Sequence, residues 1–231
     1  MAAVGRSVKS PAYDNSARRA RSDATRQRIV DTARTMMLER GYRATTIAEI
    51  ARRAEVHVDT VYELVGRKPI LLRELIEQAI SGTDRAVVAE DRDYVRSIQA
   101  EHDARGKLAI YAKATREVHG RIAPLLVALR DAATSEPEAH QVWLDISDRR
   151  AMNMRKFARD LQNAEGLRVG LSIEQAADVI WATNSAEIYV MLTSERGWTD
   201  ERYETWLADL WSRFLLDEPG VRALDAPDAS R

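Results

Sequence analysis

From Thr25 onward the chain sets apolar residues three and four positions apart, with hardly an interruption. That spacing marks one face of an α-helix, because a helix returns to the same side every few residues. Ile29, Ala33, Met36 and Met37 make the first such stripe, which ends near Arg40-Gly41, where glycine supplies a left-handed stop. Ile47, Ile50, Ala51 and Ala54 make the second, opened by Thr46 and Glu49 as a candidate capping box. Pro69 suits a helix's first turn, and Ile70, Leu71, Leu72, Leu75, Ile76, Ala79 and Ile80 then define a longer helix. Residues 81–103 break the pattern at Ser81-Gly82-Thr83 and fit either a short helix or a continuation. Further helices are expected over 107–119, 122–133, 136–163, 172–194 and 199–216. The long one runs through Trp143, Ile146, Met154, Phe157 and Leu161, and the last through Tyr203, Trp206, Leu207, Leu210, Trp211, Phe214 and Leu215.

One stretch resists. Residues 56–69, VHVDTVYELVGRKP, alternate Val56, Val58, Thr60, Tyr62 and Leu64 against polar neighbours, as a half-buried strand would. A lone strand between helices has nothing to pair its backbone groups, and buried unpaired N–H and C=O groups are costly. Taken as helix, Val56, Val61 and Val65 fall on one face toward Ile47 and Ile50, and His57, Val58, Thr60, Glu63 and Leu64 face outward or partly so. No long segment then reads as a strand. The expected fold class is all-α, with about nine helices arranged as a three-helix head on a larger helical bundle.

Composition narrows the function. There is no cysteine, so disulfides and thiolate metal sites are excluded. The longest apolar run, residues 123–129, is too short to cross a bilayer, and residues 1–16 lack the apolar core of a secretion signal. The expectation is a soluble cytoplasmic protein with no membrane partner. A formal net charge of −1 conceals a division: residues 1–68 hold 14 Lys+Arg against 8 Asp+Glu, leaving the remainder acidic. A basic head on an acidic body points to a polyanion at one end. The organisation expected is a flexible basic arm over 1–24, a helix-turn-helix unit over 25–68, a larger helical bundle over 69–217, and a frayed tail over 218–231.

Two short helices joined by a tight turn in a basic head form a helix-turn-helix. Residues 26–72 resemble, without gaps, the DNA-binding domain of the tetracycline-repressor-like (TetR) transcriptional regulators. The resemblance lies in the arginine-initiated first helix, the ERGY turn, TTIAEIA, the VxxxTVY segment and the lysine opening the fourth helix. It implies a homodimeric, ligand-responsive regulator of transcription, a repressor released from double-stranded operator DNA by a small apolar or aromatic effector, with the bundle over 69–217 as its ligand-binding and dimerisation domain. It further implies that Thr46 and Lys68 hold phosphates, that Tyr62 packs on the DNA backbone, and that His57, Val58 and Thr60 face base edges. Arg43, and Arg21 with its neighbours Arg18 and Arg19, add basic contacts, the latter three toward a minor groove. The sequence departs from the family pattern in three ways: Glu55 replaces the turn glycine, His57 the N-cap serine, and Leu64-Val65 an aromatic pair.

In the body, Asn184 and Arg150 interrupt otherwise apolar stripes. A buried polar group needs a partner, and either a structural hydrogen bond or a ligand answers that need. Tyr111, His119, Trp143, Arg150, Met154, Trp181 and Asn184 are the candidate cavity residues, with Met152 and Tyr189 beside them. For each of them alone, ordinary core packing is the simpler explanation. The aromatic-rich last helix exceeds what one buried face requires, which fits either a subunit interface or a large monomer core. Neither a cofactor nor a metal is expected. The four histidines (57, 102, 119 and 140) have no metal-ligand spacing, and no phosphate-binding or nucleophile motif occurs, so catalysis is not expected. A helical interaction protein with a vestigial head and an enzyme on a helical scaffold stand as the other classes.

Overall fold

The computed structural model describes residues 15–82, 87–164 and 166–217. Ten α-helices follow one another in these residues, and the sole β feature among them is an isolated bridge between Leu167 and Leu216. The head comprises α1 (Asn15–Arg40), α2 (Ile47–Arg53) and α3 (Val58–Val65). Helix α4 (Lys68–Ser81) leads out of it into the body. The body comprises α5 (Asp93–Ala100), α6 (Ala104–Ala133), α7 (Pro137–Asn163), α8 (Ile173–Thr183), α9 (Ala186–Val190) and α10 (Asp200–Leu215). The all-α class and the head-on-bundle plan expected above are what the structure has.

The differences lie in where helices start, merge and break. Helix α1 begins at Asn15, ahead of the first apolar periodicity, so the 15–24 portion of the expected arm is helical. ARRAR is built of strong helix formers, and propensity alone extends α1 beyond its packed stripe. Residues 1–14 and the expected tail at 218–231 lie outside the described residues. The segments expected over 107–119 and 122–133 are one helix, α6, which carries Pro124 within it. The segment expected as one helix over 172–194 is instead broken: α8 stops at Thr183, and Ser185 caps α9 by accepting from the Ile188 N–H at 3.3 Å. Helix α9 then widens into a π turn over Met191–Glu195. The ambiguous 81–103 stretch holds a 3-10 turn at Ala89–Asp91 followed by α5.

Two buried zones organise these helices. In the head, Ile29, Val30, Ala33, Met36 and Met37 of α1 close over Ile50 and Ala51 of α2 and Val61 and Val65 of α3. In the body, Leu108, Ile122, Leu125 and Leu129 of α6 meet Ala158 and Leu161 of α7 and Tyr203, Leu207, Trp211 and Leu215 of α10. Helix α4 joins the two zones through Leu71, Leu72, Leu75 and Ile76, all fully buried. Fourteen residues of helix span about 21 Å, so α4 reaches from the head to the middle of the body.

Candidate nucleic-acid interface and ligand cavity

The second helix is fixed at its start as the sequence requires. Thr46 accepts from the Glu49 N–H at 3.2 Å, and the Glu49 carboxylate accepts from the Thr46 N–H at 3.1 Å, completing the capping box. The Thr46 hydroxyl, and then the Thr46 N–H, donate to the Glu49 carboxylate and hold its pKa below the usual range. Thr46 is exposed, as a phosphate contact must be, but its hydroxyl also donates to Glu49 at 2.9 Å. A phosphate arriving there would compete with a carboxylate already seated.

Helix α3 is entered through Glu55 with φ +55°, the left-handed region, and Glu55 is the one non-glycine residue among those described to adopt it. A glycine would take that conformation freely, whereas a residue with a Cβ is strained by about 1–2 kcal/mol. His57 is the N-cap and makes no side-chain cap bond. The strand-like surplus of the sequence divides as a helix demands: Val61 and Val65 are buried, and Val56 packs against the head core from just before the first turn. His57, Val58, Asp59, Tyr62 and Glu63 are exposed, and Thr60 and Leu64 are half-buried at the edges. Val58 and Tyr62 are large apolar residues held out at 39% and 49% exposure, side by side on the outer face of α3.

What holds this helix from behind is a pair of α1 arginines. Arg28 Nε donates to the Ala54 carbonyl at 3.0 Å, at the end of α2, and Arg26 Nε donates to the Leu64 carbonyl at 3.1 Å, at the end of α3. Arg26 also pairs with Glu74 of α4. The sequence suggested charge for DNA in this region, yet these two guanidiniums satisfy helix C-terminal carbonyls and fix the angle between the helices.

Other basic residues are similarly engaged. Lys68 Nζ lies 3.9 Å above the Tyr42 ring and donates to the Tyr42 carbonyl at 3.1 Å, and burial pushes its pKa down. Arg43 pairs with Asp131 at the end of α6 at 2.9 Å, although both are largely exposed. In this geometry neither points a free cation outward as a phosphate contact would. Arg18, Arg19 and Arg21 lie exposed on the first turns of α1, and Arg52 is exposed at the end of α2. None of these four has an ion pair among the described residues. Tyr42 completes the link to the body by donating to the Glu136 carboxylate at 2.8 Å; burial first and this bond second raise its pKa.

In the body a cavity of about 310 Å³ opens between α5, α6 and α7. Tyr111, His119, Arg150, Met154 and Asn184 lie in its wall. Trp143 does not; it is half-buried elsewhere, with Arg130 over its ring at 5.7 Å. Trp181 stands behind the wall with Arg150 over its ring at 5.2 Å. Met152 is on the outer surface at 49% exposure, and buried Tyr189 turns away to donate to Asp200 at 2.7 Å. Sequence reasoning missed Tyr94 and Ile98 of α5, Thr115 of α6 and Phe157 of α7 as wall residues. The Tyr94, Val95, Ile98 spacing was the available signal for the first two.

The polar part of the wall is a short chain of contacts. Asn184 Nδ2 donates to the Tyr111 hydroxyl, which donates to Met154 Sδ at 3.3 Å. Arg150 Nη2 donates to the carbonyls of Trp181 at 3.1 Å and Asn184 at 2.5 Å, where α8 ends. Burial, and then the Arg150 charge, push the His119 pKa down to about 3, so the ring is neutral. Its Nδ1 lies 3.5 Å from the Tyr203 hydroxyl. No cluster of three or more metal-ligating side chains exists among the described residues, and no described helix is long and apolar enough to cross a membrane.

Residues 29–64 match the sequence model of the family described as bacterial regulatory proteins, tetR family. No curated protein matches the chain. Among solved structures, a protein described as a transcriptional regulator from Saccharomonospora viridis, in complex with choline, superposes with TM-score 0.65 at 20% identity, covering 85% of this chain and 100% of that one. The regulator FadR from Bacillus subtilis, in complex with stearoyl-CoA, gives TM-score 0.64 at 18% identity, covering 80% and 96%. A protein described as a TetR-family transcriptional regulator from Rhodococcus sp. gives 0.62 at 16%, covering 81% and 96%. At these identities the likeness is one of fold.

Proposed function

We propose that this chain, whose residues 29–64 match the tetR family of bacterial regulatory proteins, is a homodimeric cytoplasmic repressor of that family that leaves its operator when a small molecule fills the body cavity. The observation that carries the reading is α3 itself: a helix anchored by Val61, Val65 and two α1 arginines, with Val58 and Tyr62 held out in solvent. Such a helix fits a major groove, where Val58 meets a thymine methyl, Thr60 and His57 reach base edges or backbone, and Tyr62 packs on the sugar-phosphate chain. Asp59 and Glu63 share that exposed face, so the attraction for phosphate comes from Arg18, Arg19, Arg21 and Arg52 around it. Lys68 and Arg43 join only if they leave Tyr42 and Asp131.

Dimerisation is supported by α10, whose outer side carries Trp206, Leu210 and Phe214 at four-residue intervals while Tyr203, Leu207 and Trp211 face inward. A second copy would cover that stripe and set two α3 helices about one DNA turn, ~34–36 Å, apart. Release is supported by α4, which touches Tyr42 through Lys68 and the cavity wall through Ile80. A ligand pressing on Ile80 moves the helix that carries the head, to the extent that it binds the two arrangements unequally. The choline and stearoyl-CoA complexes of similar folds support a cavity that serves ligands of unlike chemistry.

The test is fluorescence anisotropy on a duplex from upstream of the chain's own coding sequence, against random duplex of equal length. The reading requires a preference of about tenfold or more at moderate salt, with log affinity falling by about 0.9 per phosphate neutralised for each log unit of salt. Equal binding to both duplexes removes it.

A further inference from the structure

The cavity wall is mostly carbon, and its two acids are already paired, Glu90 with Lys156 at 2.8 Å and Asp160 with Lys107 at 2.9 Å, so neither serves Arg150 or Thr115. Arg150 carries a permanent charge into the cavity from α7. Its two hydrogen bonds, to the Trp181 and Asn184 carbonyls, use one of the two terminal nitrogens. A guanidinium has five N–H donors, and the remaining ones have no hydrogen-bond acceptor among the described residues, so they are open to the cavity. Among the described residues no carboxylate pairs with Arg150; Glu187, the nearest acid to influence it, is held by Arg130 at 2.6 Å. Thr115 Oγ1 is buried in the same wall and has no hydrogen-bond partner of good geometry. Tyr111 connects them: its phenol lies beside Thr115, feels the Arg150 charge, and accepts from Asn184, whose carbonyl holds Arg150.

A cation without a counter-ion and an orphaned hydroxyl are both answered by an anionic acceptor. Neutral His119 adds a further group able to donate once its tautomer adjusts, and it cannot repel an anion or replace one. A positively charged ligand would meet Arg150 as a like charge in a poorly solvated site. We propose that the effector is a compact organic carboxylate, its anionic head on Arg150 with Thr115 as a second donor, and its apolar body among Ile98, Leu126, Ile146 and Phe157. This rests on the cavity being the effector site. The cavity's size, at the small end of ligand pockets, suits a short-chain or single-ring acid and leaves no room for a long chain.

Isothermal titration of the full-length protein with matched acid and amide pairs tests it, using 3-phenylpropionate against 3-phenylpropionamide and octanoate against octanamide. The acid of a pair should bind at least about tenfold more tightly than its amide, as a charge-assisted contact requires. Arg150→Met should erase that preference and leave amide binding within about threefold, and Thr115→Val should cut acid affinity about threefold. Equal affinities within both wild-type pairs, or tighter amides, overturn the anion assignment and leave the cavity as an effector site for neutral ligands. If neither series binds to protein that still binds its operator, the cavity reading fails and this proposal with it. Should Arg150→Met fail to fold by circular dichroism, the wild-type pairs decide alone.

Discussion

In the head, α3 turns its polar and large apolar side chains outward, with His57, Val58, Asp59, Tyr62 and Glu63 all exposed. In the body, α6, α7 and α8 turn theirs inward, where Tyr111, Thr115, His119 and Asn184 are each less than a tenth exposed. Beyond the arginine caps, buried Thr45 and the Arg34–Gln78 contact, the polar groups of the head lie outside its core, so the exposed face of α3 is available to a partner as large as DNA. The body encloses its polar groups around a space that only a small molecule can enter. On the function proposed above, one region would read a surface and the other a solute, and α4 with the Tyr42–Glu136 and Arg43–Asp131 contacts is the material connection between them.

The comparison breaks first where each region is cut. Trp211 is fully buried and stacks on Tyr111 at 5.3 Å, so Trp211→Ala should cost about 3–5 kcal/mol by denaturant unfolding. A loss under about 1 kcal/mol would mean the body is not packed as described.

His119 gives the next effect. Its folded pKa of about 3 lies below the ordinary histidine value, so the unfolded chain binds the proton more readily. Stability from this group is therefore whole near neutrality and is lost as pH falls from the ordinary value toward about 3. At pH 5 the wild type should have lost about 2 kcal/mol more than His119→Gln. Parallel pH profiles for the two proteins would place the ring in water.

Tyr62→Ala should move stability by no more than about 0.5 kcal/mol, because the side chain is half exposed. It should nevertheless weaken operator affinity about tenfold in an anisotropy titration. The reverse result, a destabilised head with DNA affinity intact, would make Tyr62 a structural residue. The smallest effect belongs to the turn. Glu55→Gly removes the left-handed strain at the cost of chain entropy and should stabilise the protein by up to about 1 kcal/mol. A destabilised variant in chemical denaturation would show that the Glu55 side chain contributes a contact that outweighs its backbone strain.

The two regions also differ in how much of them the sequence displays. The head is local: Thr46 and Glu49 meet three residues apart, and Val61 and Val65 share a face within one helix, so spacing reveals both. What spacing did not reveal was the work of Arg26 and Arg28, whose acceptors lie 38 and 26 residues away. Lys68 is read from sequence as a free cation, yet it stacks on Tyr42, also 26 residues distant. The body is almost wholly of this second kind. Arg150, Asn184 and Tyr111 form one contact chain from three helices, and only their interruption of apolar stripes marks them beforehand. Trp143 and Met152 have the right type and wrong rotational position, which the periodicity of a long, lightly curved helix does not resolve. The Asn184-Ser185 break between α8 and α9 depends on a serine cap that resembles many mid-helix serines.

The central claim is that the outward face of α3 reads base sequence. Selection from a randomised duplex library, run in parallel on the wild type and on the Val58→Ala, Thr60→Ala double variant, tests it most directly. The wild type should select a near-palindromic motif with half-sites about one turn, ~34–36 Å, apart, and the variant should change bases within each half-site. Recovery of no motif, or of the same motif from both proteins, would contradict it.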